Sequence, residues 1–404
     1  MVGFDPRGYH RAPAMLQLLL DAELYAPQRV GRRNLLIGGE RVLWIGADEP
    51  SLSEELEVEL IDLDGLRVIP GLIDAHAHLT GGGGEAGYAS RVPPMQLSQF
   101  TLGGVTSVVG LLGTDDLTRT TAQLVATARA FEEEGLSAWC YTGGYHLPPM
   151  TLTGSVRGDI VHLDRVIGFG ELALSDHRSS QPTLDELLRI ASECHVAGLM
   201  TGKAGVLHLH LGDGPRGFDL VREALAIAEL PARVWHPTHV NRRRALFDEA
   251  LELAEHGVTL DITAFPVAEG EDAYSAAEAL ERFLEADLDP TRVTVSSDGG
   301  GCLPQFDADG RISSFDVGSP LALSETLAEL VGRGHALEDV LPAFTSNVAS
   351  FLRLPRKGVL APGADADLVV LDAEQRVRDV LCRGRWMVRG GRALVRGRFE
   401  APRS

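Results

Sequence analysis

The texture of apolar and polar positions changes twice along the chain. Up to about residue 70 the apolar residues come in short runs, Met15–Leu20, Asn34–Ile37, Arg41–Ile45 and Glu57–Leu63, broken by glycine, proline and acidic residues. Runs of that length bounded by turn formers predict strands. From Pro70 the pattern becomes strand, polar loop, amphipathic helix, repeated. Strands are predicted at Leu72–Ala75, Ser107–Leu111, Ala138–Tyr141, Arg165–Leu174, Val206–His210, Val234–Thr238, Val258–Ile262 and Val293–Ser296. Between most of them, at Asp116–Glu134, Leu184–Ala197, Phe218–Leu230, Arg243–His256 and Ser275–Glu285, apolar residues recur at helical spacing. About eight such units over roughly 280 residues fit an α/β fold of the (β/α)8 TIM-barrel type, which typically takes about 250 residues. Beyond residue 354 the strand texture returns at Ala366–Leu371, Val377–Cys382 and Trp386–Val388. Neither terminal piece has strands enough to close a core alone. The simplest arrangement therefore joins residues 1–70 and 355–404 in one small β-sandwich-like domain, flanking a barrel of residues 71–354.

Composition adds exclusions. A hydrophobic share of 44% with 23% charged residues is ordinary globular usage, and no long uncharged apolar run predicts a membrane span. The run Met15–Leu20 is too short for the apolar part of a signal peptide and is followed by Asp21, so it reads as a strand in a cytoplasmic protein. The four cysteines, Cys140, Cys194, Cys302 and Cys382, have no metal-finger spacing and read as free thiols. A net charge of −20 opposes binding to nucleic acid or an anionic membrane. Neither is expected as a partner, and an anionic substrate needs locally placed arginines.

The candidate chemistry lies at the ends of the predicted barrel strands. Ile73-Asp74-Ala75-His76-Ala77-His78 closes the first of them. Residues i and i+2 of a strand share a face, so His76 and His78 can converge on one cation. Later strands end in Leu207-His208-Leu209-His210, His236-Pro237-Thr238-His239 and Ser296-Ser297-Asp298-Gly299. Four strand mouths in barrel order, each carrying histidine or aspartate, point to an active site where such barrels keep theirs. On spacing alone His208 and His210 compete as ligands, as do His236 and His239.

These stretches resemble the amidohydrolase superfamily and, within it, the isoaspartyl dipeptidases. The resemblance runs from about Met15 to Glu400. Its most specific segments are His76–Gly87 (HAHLTGGGGEAG), Val108–Thr114 (VVGLLGT), Thr142–His146 (TGGYH), Ser175–Ser179 (SDHRS), Pro237–Arg242 (PTHVNR) and Ser296–Gly299 (SSDG). It implies a homo-oligomeric hydrolase with two divalent metal ions, zinc by preference, although manganese, cobalt or nickel accept the same donors. His76 and His78 would bind one ion, His210 and His239 the other, with Asp298 touching the first ion and acting as general acid and base. His208 and His236 would stay in the core or behind the ligands. Tyr145 corresponds to the residue that polarises the scissile carbonyl.

The family's bridging ligand is usually a carboxylated lysine, and here the sequence departs from the pattern. The aligned position is Glu171, and the only lysines are Lys203, which matches another family position, and Lys357, beyond the barrel. A glutamate offers the same two oxygens on a shorter arm. Bridging both ions then needs a local backbone adjustment, for which the neighbouring Gly170 is suited; the alternative is that Glu171 binds one ion only.

For the substrate, the resemblance implies a β-aspartyl dipeptide bound by Glu85, Arg178 and Arg242, one anion and two cations against one ammonium and two carboxylates. Cys302 stands where the family has a substrate-contacting serine, and a thiol is the poorer hydrogen-bond partner. Two other readings stay open: an amidohydrolase acting on another small amide, such as an N-acyl amino acid or a cyclic imide, and a catalytically silent barrel with a role in assembly.

Overall fold

The computed structural model describes residues 16–306 and 312–401. Met15, the first residue of the first predicted strand, lies outside the described residues, as do the fourteen before it.

Eight parallel strands form the barrel: Leu72–Ala77, Val105–Gly110, Ser137–Thr142, Val166–Leu174, Val206–Leu211, Trp235–Thr238, Leu260–Thr263 and Val293–Ser296. The first six are hydrogen-bonded in sequence order, and the last two pair with each other. Ala77 makes a parallel bridge to Gly299, and His78 N donates to Gly299 O at 2.7 Å, so the ring closes at its mouth between the first and last strands. Each strand was expected within two residues of where it lies. They are buried on both faces, which is why they read as apolar runs.

Helices pack outside. Leu184–Thr201 starts at a capping box, with Thr183 Oγ1 accepting from Glu186 N while Glu186 reaches back to Thr183 N. The helix expected from Asp116 begins only at Thr121, capped by Thr120. Asp115 and Asp116 are taken by other partners, Thr118 and His146. Short helices at Leu97–Thr101 and Val156–His162, a hairpin of Cys302–Phe306 with Ile312–Val317, and the helix Leu321–Gly332 were not anticipated.

Both chain ends contribute to one mixed sheet of nine strands among the described residues. Arg67–Pro70 pairs antiparallel with Leu368–Leu371 and parallel with Leu16–Tyr25, which joins the two pieces. The far edge, Arg41–Gly46, meets the chain again where Val42 N donates to Ala364 O. The sheet thus curls around its own core of Leu19, Leu24, Leu35, Ile37, Leu368 and Leu381, each such side chain contributing about 1.5–3 kcal/mol by burial. It is tied to the barrel by Lys357, whose Nζ lies 2.7 Å from Ser137 Oγ, 2.8 Å from Asp365 Oδ2 and 2.5 Å from Asp367 Oδ2.

The barrel interior is layered. Ile73, Val109, Tyr141, Ile167, Val206 and Phe351 make an apolar floor. Above it lies a buried polar layer of His208, His236, Asp261 and Thr294, and above that the mouth.

Candidate active site

The first strand carries His76 and His78 to the mouth, buried at 0% and 5% exposure. Asp298 arrives from the last strand in a left-handed backbone conformation (φ 50°). That turn is followed by Gly301, where a Cβ would stand 2.2 Å from the Asp298 carboxylate. Asp298 Oδ1 lies 3.3 Å from His76 Nε2 and 3.1 Å from His78 Nε2. The fifth and sixth strands supply His210 and His239.

Glu171 comes from the fourth strand by way of a bulge. Phe169 pairs with Leu207 and Leu172 with Leu209, so two residues, Gly170 and Glu171, oppose His208 alone. A one-residue slip exchanges the faces of a strand. Phe169 and Leu172 therefore both face the helices, in the same core, while Glu171 turns inward. Gly170 is needed there because a Cβ would come 2.7 Å from His208 Cβ. A local backbone adjustment thus lies at Gly170, beside Glu171.

The result puts one carboxylate between two histidine pairs. Glu171 Oε1 is 3.5 Å from His78 Nε2; Oε2 is 3.7 Å from His76 Nε2, 3.1 Å from His210 Nδ1 and 3.4 Å from His239 Nε2. Donor atoms of His76, His78 and Asp298 lie close enough to share an ion, as do those of His76, Glu171 and His239. His76 Nε2 and Asp298 Oδ1 are buried without a hydrogen-bond partner, a costly state unless something else binds them. Burial raises the Glu171 and Asp298 carboxyls, but the imidazoles outweigh it and hold both well below the usual range. Burial lowers His76, yet Glu171 and Asp298 push it up to about 9. The cluster thus favours positive charge at its centre, and the residues present fit divalent cations.

A third trio, His76, His208 and Asp261, is close enough for an ion, but its atoms are engaged. His76 Nδ1 lies 2.8 Å from His208 Nε2, and Asp261 accepts from Thr238, Thr294 and Ser296. Burial holds His236 down to about 3 and His208 well below the imidazole range, with neighbouring imidazoles adding to both.

Around the mouth, Tyr145 is buried with its hydroxyl 2.8 Å from His210 Nδ1. Burial and the nearby Glu171 raise its pKa well above that of an ordinary phenol, so it stays an O–H donor. Arg178 Nη1 lies 3.3 Å from Glu85 Oε1. Arg242 is held by Leu211 O at 2.8 Å and Asp213 Oδ1 at 2.9 Å. Cys302 is half-buried and feels the charges of Glu85, Asp298 and Arg178.

Two residues here were given no role from the sequence. Asp176 takes the bidentate edge of Arg178, at 3.0 and 2.7 Å, and sits 3.1 Å from His210 Nε2. It lies in the quoted Ser175–Ser179 stretch, two residues before the arginine, which was the available signal. Arg119 is buried and donates to the carbonyls of Thr80, Gly82 and Val92. It pins the glycine run that carries Glu85; nothing local in the sequence marked it.

A profile described as the amidohydrolase family matches residues 67–387. The chain belongs to this family. Among solved structures, this amidohydrolase is similar to a β-aspartyl dipeptidase from Fervidobacterium islandicum AW-1 in complex with β-Asp-Leu. The two are 39% identical over 95% of this chain and 98% of that one, with a TM-score of 0.89. Among curated proteins it is 24% identical to a deacetylase of Agrobacterium fabrum, over 84% of this chain and 78% of the relative. It is 28% identical to an imidazolonepropionase of Salinispora arenicola, over 85% and 86%. The fold and hydrolase class expected from the sequence are thereby established. Among the described residues no helix is long and apolar enough to cross a membrane.

Proposed function

We propose that this amidohydrolase cleaves the amide bond of β-aspartyl (isoaspartyl) dipeptides. The observation that carries this reading is the Arg178–Glu85 pair at 3.3 Å over the mouth. A substrate with an ammonium and carboxylates can separate such a pair and satisfy both partners. Asp176 holds the guanidinium in place, and Arg242 offers a second cation for the remaining carboxylate. The similarity to a β-aspartyl dipeptidase supports the same substrate class.

In this reading His76, His78 and Asp298 would hold one divalent ion and His210 and His239 a second, with Glu171 serving both, and zinc is the favoured metal. When bound, the ions supply Lewis-acid polarisation and lower the pKa of a water toward neutrality. Asp298, ionised in its setting, accepts a proton as the water oxygen attacks the amide carbon. The same carboxyl then delivers the proton to the leaving nitrogen as the carbon–nitrogen bond breaks. Tyr145 donates its O–H to the carbonyl oxygen as negative charge builds there. Glu85 binds the free α-amine and so restricts the substrates.

The test is metal content and hydrolysis of β-Asp-Leu against α-Asp-Leu on one purified sample. About two ions per chain with selective β-Asp-Leu cleavage is the expected result. Two ions without cleavage would move the assignment to another small amide, with Cys302 as the reason. No metal and no turnover after metal addition would favour the silent barrel.

A further inference from the structure

Beneath the ligand layer a line of hydrogen bonds crosses the barrel. His76 Nδ1 lies 2.8 Å from His208 Nε2, and His208 Nδ1 lies 2.9 Å from His236 Nδ1. His236 Nε2 is 3.2 Å from Thr294 Oγ1, whose hydroxyl donates to Asp261 Oδ1 at 2.6 Å. All five residues are fully buried. The rings are held in place as well: Tyr141 stacks on His208 with centroids 5.1 Å apart, and Phe351 packs on His236 at 4.2 Å.

Burial raises the Asp261 carboxyl, while hydroxyl donors from Ser296, Thr294 and Thr238 favour its ionised form. With Asp261 ionised, only one arrangement of protons satisfies the whole line. An ionised carboxylate accepts and does not donate, and a neutral imidazole has a single N–H. Thr294 gives its proton to Asp261 and so accepts from His236 Nε2. His236 Nδ1 is then bare and accepts from His208 Nδ1. His208 Nε2 is bare in turn and accepts from His76 Nδ1. With Nδ1 committed to His208, Nε2 is the position where His76 takes either a proton or a cation. Once a cation replaces the proton its lone pair points at that cation, and this is the buried atom without a partner that faces Glu171 and Asp298.

We propose that His208, His236, Thr294 and Asp261 form a positioning relay that fixes the tautomer and ring orientation of His76 for cation binding. The relay rests on the reading of His76 as a metal ligand. It does at a distance what a directly bonded carboxylate does for many ligand histidines: it orients the ring and raises its basicity. Asp261 is sealed from solvent under the site, so the polarity of the line is set from below.

The experiment is cobalt(II) binding to the full chain, read by chelator competition and by the visible spectrum of the bound ion. His208→Leu should weaken binding about 10- to 100-fold, the usual range for loss of an outer partner. Thr294→Val keeps the shape of the side chain and removes only the hydroxyl linking His236 to Asp261. It should weaken binding several-fold, by about 3- to 10-fold, and shift the cobalt band. Nitrogen-15 spectra of the histidines should show the N–H of His208 on Nδ1, lost from that position in Thr294→Val. If His208→Leu does not fold, Thr294→Val alone decides. Wild-type affinity and spectrum in Thr294→Val would overturn the relay, even with His208→Leu impaired, because packing would then explain the latter. Failure of the wild-type protein to bind cobalt would instead overturn the ligand reading, and the relay with it.

Discussion

Glu171 holds its Oε2 atom 3.1 Å from Nδ1 of His210, with both side chains sealed from solvent. The same carboxylate reaches the other histidine pair, so its charge should matter more than its shape. Glu171→Gln keeps the shape and removes the charge. The expected outcome, measured by elemental analysis and steady-state kinetics, is loss of at least one ion per chain and a fall in kcat of about 100-fold or more. Full metal content with full activity would remove Glu171 from the bridging position.

Tyr145 presents a phenol that burial and Glu171 keep protonated. Tyr145→Phe should lower kcat on β-Asp-Leu by about 10²–10³-fold, the cost of losing one donor to a developing oxyanion. KM should change little, because the bond strengthens only as charge builds. A fall in kcat/KM caused wholly by KM would assign Tyr145 to binding instead.

Burial, reinforced by the Glu85 and Asp298 carboxylates, pushes the Cys302 thiol up to about 11. A raised thiol pKa leaves the neutral form in place until the pH climbs toward that value. At pH 8 iodoacetamide should therefore label Cys302 about two orders of magnitude more slowly than an unperturbed thiol with pKa of about 8.5. Labelling should accelerate as pH rises through 9 to 11. Cys140, Cys194 and Cys382 are buried, so peptide mapping of the native protein should find Cys302 first. Cys302→Ser should lower KM for β-Asp-Leu with kcat nearly unchanged.

Lys357 lies between Asp365 and Asp367 with only 7% of its surface exposed. Lys357→Met would leave the buried Asp367 without its cation, while Asp365 keeps Arg41 and Arg356, at a cost of about 3–5 kcal/mol. The melting temperature should fall by several degrees, while metal content and kcat per folded molecule hold. An unchanged melting temperature would mean that the Lys357–Asp367 pair contributes nothing to stability.

Much of this candidate site was legible because its side chains sit at strand ends, where a two-residue spacing already determines which of them share a face. His76 and His78 needed only that rule. Glu171 did not obey it: the bulge at Gly170 reverses the inside and outside of the fourth strand, and alternation along a sequence carries no sign of an extra residue. The wider polar layer was illegible for another reason. His208, Asp261 and Thr294 derive their roles from one another across three strands, and Asp176 and Arg119 from partners that loops bring near. The β domain was readable as a joint one because neither end could close a core; its curl onto Val42 and Ala364 depends on twist, which residue types encode only weakly.

Barrel closure between Ala77 and Gly299 places the first and last parts of the site on the two sides of one seam. During synthesis His76 and His78 emerge long before Asp298 has been translated, and Glu171, His210 and His239 arrive in between. A growing chain therefore holds all four histidines and Glu171 before it holds Asp298. The candidate site is thus complete only when the ring is closed, so opening the seam between Ala77 and Gly299 would part Asp298 from His76 and His78.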